Sequence, residues 1–241
     1  MKVAIISDMH GNCFALDAVL ADLERHPSDA IVCLGDAVQG GAQPAETIAR
    51  LRDLDCPIVM GNADAWLLTS EETGREETTQ RMLEIREWSL SQLSAENRAF
   101  IASFQPTVEM LLGEYKLLCF HGSPASFDVI ILPETPEEEF QRYLGEHQPA
   151  IMTGGHTHLQ FVRRLGNTFF FNPGSVGFAY NRHQPEEGFK ADPWAEYAIL
   201  SSEDGRISLE FRRVPFAVDA LVSIILSSGR PYADAMAAQY R

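Results

Sequence analysis

Seven short stretches within the first 175 residues set aspartate, histidine or asparagine beside glycine or at a turn. They are Asp8-Met9-His10, Asn12, Gly35-Asp36, Gly61-Asn62-Ala63-Asp64, His121-Gly122, Gly154-Gly155-His156-Thr157-His158 and Asn172-Pro173-Gly174-Ser175. Carboxylate and imidazole together suit manganese, iron, nickel or zinc better than calcium. A single carboxylate can bridge two ions, and Asp36 is a candidate bridge; Asn62, His121, His156 and His158 could complete two coordination shells with neutral ligands. Two such ions a few ångströms apart can clamp a phosphoryl group and generate a hydroxide to attack it. That chemistry points to hydrolysis of phosphate esters.

The elements that must position these residues are apolar runs. Val3 to Ser7, Ala30 to Leu34, Ile58 to Met60, Leu117 to Phe120 and Ile151 to Thr153 read as buried strands, each ending at one of the stretches. Asp8 and His10, two apart at a strand end, are expected on still extended backbone with both side chains on one side. Phe14, Leu16, Val19, Leu20 and Leu23 recur at helical spacing, as do Ile48, Leu51 and Leu54 after Pro44. Alternation of strands with helices implies a sheet with parallel portions and helices on both faces, with ligands outside the carboxyl ends of the strands.

Residues 78–104 read as inserted helices, with Ser94 and Asn97 flanking a helix start and no chemistry visible in the pattern. Hairpins are expected across Gly113-Glu114 and Gly166-Asn167, forming a second sheet layer to which a third hairpin, turning at Glu203-Asp204-Gly205, is added. Residues 215–241 form a C-terminal helical segment broken at Gly229-Arg230-Pro231. No repeat or long linker divides the chain, so residues 1–241 read as one domain.

Composition agrees with a folded globular domain. The 241 residues are 45% hydrophobic and 22% charged, enough to bury a sizeable core. A formal net charge of −15 and the lack of a Lys/Arg run argue against a nucleic-acid polymer as partner, although bound divalent ions would reverse the sign of the field locally. The four cysteines form no C-x-x-C pair and read as reduced thiols. No leader-like segment precedes Lys2-Val3-Ala4-Ile5-Ile6 and no apolar stretch reaches membrane-spanning length, so cytoplasmic residence is the expectation.

The ordered set D-x-H, G-D, G-N-x-D, H-G, G-H-x-H, followed by N-P-G-S, resembles the calcineurin-like metallophosphoesterase family, especially its small bacterial phosphodiesterase branch. The resemblance runs from Met1 to about Gly177. It implies an α/β (α+β) four-layer sandwich, two mixed β-sheets packed face to face with helices outside. It also implies that Asp8, His10, Asp36 and His158 hold one metal ion and that Asp36, Asn62, His121 and His156 hold the second, manganese being the first expectation. A hydroxide bridging the ions would attack phosphorus in line, with Asp36, Asn62 and His121 in the catalytic set. Many members of the family have histidine, thought to protonate the leaving group, where this chain has Ala63. Alanine cannot transfer a proton, so the acid must come from Asp64, His183 or a metal-bound water, or the ester must carry a good leaving group; general acid catalysis is typically worth about two to four decades in rate. The expected partner is a small phosphate ester or diester, with no membrane, and a homo-oligomer is compatible with the sequence.

Other readings remain open at this level. Asn12 either caps the helix beginning near Cys13 or contacts substrate, and a helix N-terminus permits both. Asn172-Pro173-Gly174-Ser175 is either a tight turn or, by the resemblance, a shell in which Ser175 touches the phosphate. Phe169, Phe170, Phe171, Phe178 and Tyr180 either pack in the core or wall a pocket for an aromatic group. His26 and His147 read as solvated or capping residues, Cys13 as packed into its helix, and residues 134–139 as a solvated helix start. Protein phosphatases and dinucleotide-polyphosphate phosphatases share parts of the pattern, and the retromer subunit of this fold family is a non-catalytic scaffold whose relatives have usually lost metal ligands.

Overall fold

A computed structural model describes residues 1–69, 78–147, 149–185 and 187–241. Its first sheet has the order β2-β1-β8-β9, from β1 (Lys2–Ile6), β2 (Ala30–Cys33), β8 (Trp194–Glu203) and β9 (Arg206–Pro215). The second has the order β3-β4-β5-β7-β6, from β3 (Val108–Leu112), β4 (Tyr115–Cys119), β5 (Ile151–Thr153), β6 (Gln160–Leu165) and β7 (Thr168–Pro173). Both are mixed: β1 runs parallel to β2 and antiparallel to β8, while β4, β5 and β7 are mutually parallel.

The four layers follow from strands that are apolar on both faces, because successive side chains point to opposite sides. In β1, Val3 and Ile5 enter the core between the sheets, where they meet Leu117, Cys119, Ile151 and Phe171 of the second sheet. Ala4 and Ile6 point the other way, to a core shared with Leu16 and Val19 of α1 (Cys13–Arg25) and Ile48 and Leu51 of α2 (Pro44–Leu54). On the far side of the second sheet, Leu118, Met152 and Phe170 pack with Phe140 and Leu144 of α6 (Glu137–Leu144). The expected sandwich is therefore the observed one. Phe170 and Phe171 are core residues on opposite faces of β7, as alternating packing requires.

Three expectations need correction. The hairpin turning at Asp204-Gly205 joins the first sheet, not the second. Residues 195–200 are buried along their whole length because β8 is a central strand, with Ala198 and Leu200 facing the inter-sheet core and Ala195, Tyr197 and Ile199 facing the helices. Ile58 to Met60 makes only single-residue parallel bridges, Ile58 to Cys33 and Val59 to Gln105, so it is a ledge beside β2 rather than a strand. Asp8 and His10 are not on extended backbone: β1 ends at Ile6, and the two residues have φ of 56° and 47°.

The inserted helices are α4 (Gln80–Ser91) and α5 (Ala95–Ala102), the latter capped by Ser94, whose hydroxyl accepts from the Asn97 amide. A further helix, α3 (Asn62–Thr69), begins inside the Gly61-Asn62-Ala63-Asp64 stretch. The C-terminal segment forms α7 (Val218–Ser227) and α8 (Ala233–Ala238). Leu221, Val222, Ile225, Met236 and Tyr240 close a small apolar cluster over Phe14, Phe178 and Phe216, so these helices cover the core of their own chain. No described helix is long and apolar enough to cross a membrane.

Candidate metal centre

The loops after β1 and β2 run side by side. Asp8, His10 and Gly11 donate their amides to the carbonyls of Gly35, Asp36 and Ala37, extending the pairing of the two strands past their ends. Gly35 and Gly61 touch where these loops meet: a Cβ on Gly35, at φ +93°, would lie 2.5 Å from the Gly61 nitrogen, and one on Gly61 would overlap the Asp36 carboxylate. Five of the eight non-glycine residues with positive φ among the described residues are Asp8, His10, Asp36, His156 and His158. Each such residue costs on the order of 1 kcal/mol or more, and strain of this kind collects where side chains must be aimed.

What the strain achieves is convergence. Three imidazoles donate Nδ1–H to backbone carbonyls, His10 to Gln39 (2.8 Å), His121 to Leu34 (2.8 Å) and His158 to Phe178 (2.7 Å). That network assigns the tautomer and leaves each Nε2 lone pair facing inward. His10 Nε2 and His158 Nε2 are 3.0 Å apart, and Asp8 Oδ1 lies 3.8 Å and 3.3 Å from them. Asp8 Oδ2 is held by the Ser7 hydroxyl (2.5 Å) and the His156 amide (3.1 Å), whereas Oδ1 is buried without a hydrogen-bond partner. Asp36 Oδ1 accepts from the Ala63 amide at 2.8 Å, and its Oδ2 faces both His121 Nε2 (3.3 Å) and His10 Nε2 (3.7 Å). Asn62 Oδ1 completes that side, 3.0 Å from His121 Nε2.

Two groups of ligand atoms result, Asp8 with His10 and His158, and Asp36 with His121 and His156. Facing imidazole lone pairs and an orphaned buried carboxylate oxygen repel one another unless a cation or proton lies between them, so the donor set fits divalent metal ions. Without metal, protons take that place. Burial alone would lower His121, but the charge and hydrogen bond of Asp36 push it up to about 10, and Asp8 likewise raises His158 against burial. Burial would raise both carboxylates, yet His121 holds Asp36, and His158 holds Asp8, below the usual carboxylate range. Burial and the neighbouring His121 charge push His156 down to about 4.

Residues 1–191 match the family model of the calcineurin-like phosphoesterase superfamily domain. The chain belongs to that superfamily. It is thereby a hydrolase of phosphate esters, and its residues offer the metal-ligand groups on which the family depends. It is 29% identical to the uncharacterized protein MJ0912 of Methanocaldococcus jannaschii, over 95% of this chain and 93% of that one. Phosphodiesterase YfcE of Escherichia coli K12 is 26% identical, over 73% of this chain and 79% of its own. Among solved structures, a metallophosphoesterase from Sphaerobacter thermophilus superposes with a TM-score of 0.72 at 26% identity, covering 99% of this chain and 98% of that one. The hypothetical protein PH1004 from Pyrococcus horikoshii OT3 shares the fold, with a TM-score of 0.80 at 18% identity over 100% and 98% of the two chains.

In this calcineurin-like phosphoesterase the ligand groups open onto a cavity of about 470 Å³, whose floor includes His10, Asp36, Asn62, Ala63, His156 and His158. Three residues expected near substrate lie elsewhere. Asn12 is buried, caps α1 by accepting from the Ala15 amide, and donates to the Gly177 carbonyl. Ser175 is buried, donates to the Asp8 carbonyl and accepts from the Phe178 amide. Asp64 is buried with its carboxylate turned to the amides of Ala37 (3.0 Å) and Gly61 (3.4 Å); burial and then Asp36 push it up to about 7. None of the three lines the cavity, and neither does exposed His183. His26 caps the end of α1, as expected.

The rest of the lining, the wall of the cavity, was not foreseen. It contains Arg81 from α4, Phe178, Arg230 from the break between α7 and α8, Met236 from α8 and Gln239 just beyond it. The stretch around Arg81 carries no motif, and Gly229-Arg230-Pro231 read only as a break. Phe178 is the member of the aromatic set that reaches the cavity; its ring meets His158 edge-on at 6.0 Å.

Proposed function

We propose that this chain is a binuclear metal-dependent phosphodiesterase acting on small phosphate esters. The observation that carries the reading is the inward convergence of three imidazole Nε2 atoms on the carboxylates of Asp8 and Asp36, fixed from behind by backbone carbonyls. Asp8, His10, Asp36 and His158 would hold one ion, and Asp36, Asn62, His121 and His156 the other. The position of Asp36 Oδ2 between His10 and His121 supports Asp36 as the bridge. Manganese is the first choice for the mixed carboxylate and imidazole set, with iron, nickel or zinc as alternatives. When bound, two ions supply a Lewis acid for the phosphoryl oxygens and activation of water.

The chain's own part is to bind, aim and neutralise. Backbone carbonyls orient the imidazoles, the Ala63 amide at the start of α3 holds Asp36, and Asp64 anchors the loop behind it. Among the described residues, no side chain in the cavity outside the ligand groups is suited to protonate a leaving group, because Ala63 occupies the family's usual acid position and the remaining titratable lining residues are arginines. The acid then comes from a metal-bound water, or the ester carries a leaving group that departs without strong acid assistance. Resemblance to a protein named a phosphodiesterase supports diesters over monoesters. The volume suits a small molecule, and free cysteines throughout support a cytoplasmic setting.

The test is elemental analysis of the purified protein together with a panel of aryl diesters, aryl monoesters, cyclic nucleotides, dinucleotides and a phosphopeptide. Manganese-dependent hydrolysis of the diesters that disappears in Asp36→Asn supports the reading. Full metal occupancy with no hydrolysis of any substrate sinks it in favour of a scaffold.

A further inference from the structure

The cavity holds two cations that the metal chemistry does not use. Arg230 is only 8% exposed; its Nε donates to the Gly40 carbonyl at 2.6 Å and its Nη1 to the Pro231 carbonyl at 2.7 Å. Gly40 follows Gln39, whose carbonyl orients His10, so the guanidinium is anchored one peptide from the carbonyl that holds a proposed metal ligand. Arg81 stacks over the Tyr232 ring with 5.1 Å between guanidinium carbon and ring centroid. Neither arginine makes an ion pair among the described residues, although acidic residues outnumber basic ones by 34 to 19. Burial, and then repulsion from Arg81, push Arg230 down to about 10, which leaves it a cation at neutral pH.

A buried guanidinium that shares a cavity with a second cation, with no carboxylate paired to it among the described residues, is costly unless an anion from outside completes the site. Asp36 is the acidic residue of the lining, and it belongs to the metal ligands. Two guanidinium groups match the oxygens of a phosphate in fork geometry, and a phosphate monoester near two negative charges balances both where a carboxylate balances one. The cavity is larger than one phosphate needs and includes the apolar side chains of Phe178 and Met236 to receive the body of an ester.

We infer that Arg81 and Arg230 form a clamp for a second, terminal phosphate, so that the preferred substrate is a phosphodiester carrying a phosphate monoester away from the scissile bond. The inference rests on the phosphodiesterase reading for the first phosphate, but the clamp is a property of the wall alone. Both arginines lie outside the metal motifs, and Arg230 lies beyond the residues matched by the family model.

The experiment compares two chromogenic esters on the manganese-loaded protein: thymidine 5′-(p-nitrophenyl phosphate), and the same compound with a 3′-phosphate. The bisphosphorylated ester is expected to be preferred in kcat/KM by about tenfold or more, the worth of one charge-assisted contact. Arg81→Gln is expected to bring the ratio close to one, mainly through KM, and Arg81→Lys to restore part of it. Arg81 is exposed on α4, so its replacement leaves the packed core in place; Arg230→Gln, with folding checked by melting temperature, is the second variant. Calorimetric titration of the metal-free protein with thymidine 3′,5′-bisphosphate gives a readout independent of turnover, with affinity about tenfold weaker in Arg81→Gln. A ratio near one in the unaltered protein, or the same ratio and the same affinity in Arg81→Gln, overturns the clamp. If neither ester is hydrolysed, the phosphodiesterase reading fails, and the titration alone decides the clamp: weaker binding in Arg81→Gln supports it and equal binding overturns it.

Discussion

The floor and the wall of the cavity are built on different principles. The floor takes its ligands from loops after β1, β2, β4 and β5, and most of them sit in left-handed backbone fixed by carbonyls and amides of neighbouring loops. Apart from Phe178, the wall takes its side chains from α4 and from the C-terminal segment, held by apolar packing and by contacts to Gly40 and Gly177. Backbone pinning gives the positional accuracy that a metal centre demands, whereas helix side chains on a packed patch can be exchanged without disturbing it. The proposed chemistry is thus placed on loops pinned through their backbone and the proposed recognition on side chains borne mainly by helices.

The largest effect should come from the floor. Asp36→Asn removes the proposed bridging carboxylate, and we expect a loss of about a thousandfold or more in hydrolysis, with reduced metal content by elemental analysis. One step behind the ligands, Asp64→Ala strips the amides of Ala37 and Gly61 of their acceptor. Metal affinity should fall about tenfold to a hundredfold and stability by about 1–3 kcal/mol, read by metal titration and chemical denaturation. On the wall, Met236→Ala opens the C-terminal cluster; we expect a cost near the lower end of the roughly 2–5 kcal/mol range and a rise in KM with kcat nearly kept. Should that variant lower kcat as far as Asp64→Ala does, floor and wall are one unit and the contrast fails.

The pH dependence sharpens the same contrast. In metal-free protein His121 is raised to about 10 and His158 is raised as well, so the folded state binds more protons than the unfolded chain above the ordinary histidine range. The stability contributed by these two histidines is fully present below about pH 6.5 and is lost as pH rises toward 10. Melting temperature measured over that interval should fall, and His121→Asn should flatten the slope. Metal ions compete with the same protons, so metal affinity should rise over the interval. The smallest effect belongs to the wall: Tyr240→Phe loses one 3.2 Å hydrogen bond to the Gly177 carbonyl and should cost no more than about 1 kcal/mol.

Much of this was legible in the chain, for reasons that differ by region. The strands Val3 to Ser7 and Leu117 to Phe120 were readable because both faces of a central strand are apolar, and the turns at Gly113-Glu114 and Gly166-Asn167 because they follow local rules. The same logic failed at residues 197–201, where alternation could not say which sheet the hairpin would join; that depended on pairing with β1 near the other end of the chain. It failed again at Asp8 and His10, where two-residue spacing placed both side chains correctly for the wrong reason, a left-handed turn having replaced the extended strand.

What the sequence determined by itself is the proposed ligand set. Asp8, His10, Asp36, Asn62, His121, His156 and His158 announce metal chemistry because metal affinity resides in donor atoms, and donor atoms are a property of residue type. Ala63 likewise announces the missing acid. Tertiary structure alone decided what faces the candidate metal centre. Asn12, Asp64 and Ser175 turned inward to satisfy buried amides and carbonyls, and Arg81 and Arg230, far apart in the chain and in no motif, came to share one cavity. Their meeting depends on how α4 and the C-terminal helices dock on the sandwich, and helical periodicity carries no record of which distant surface a polar side chain will face.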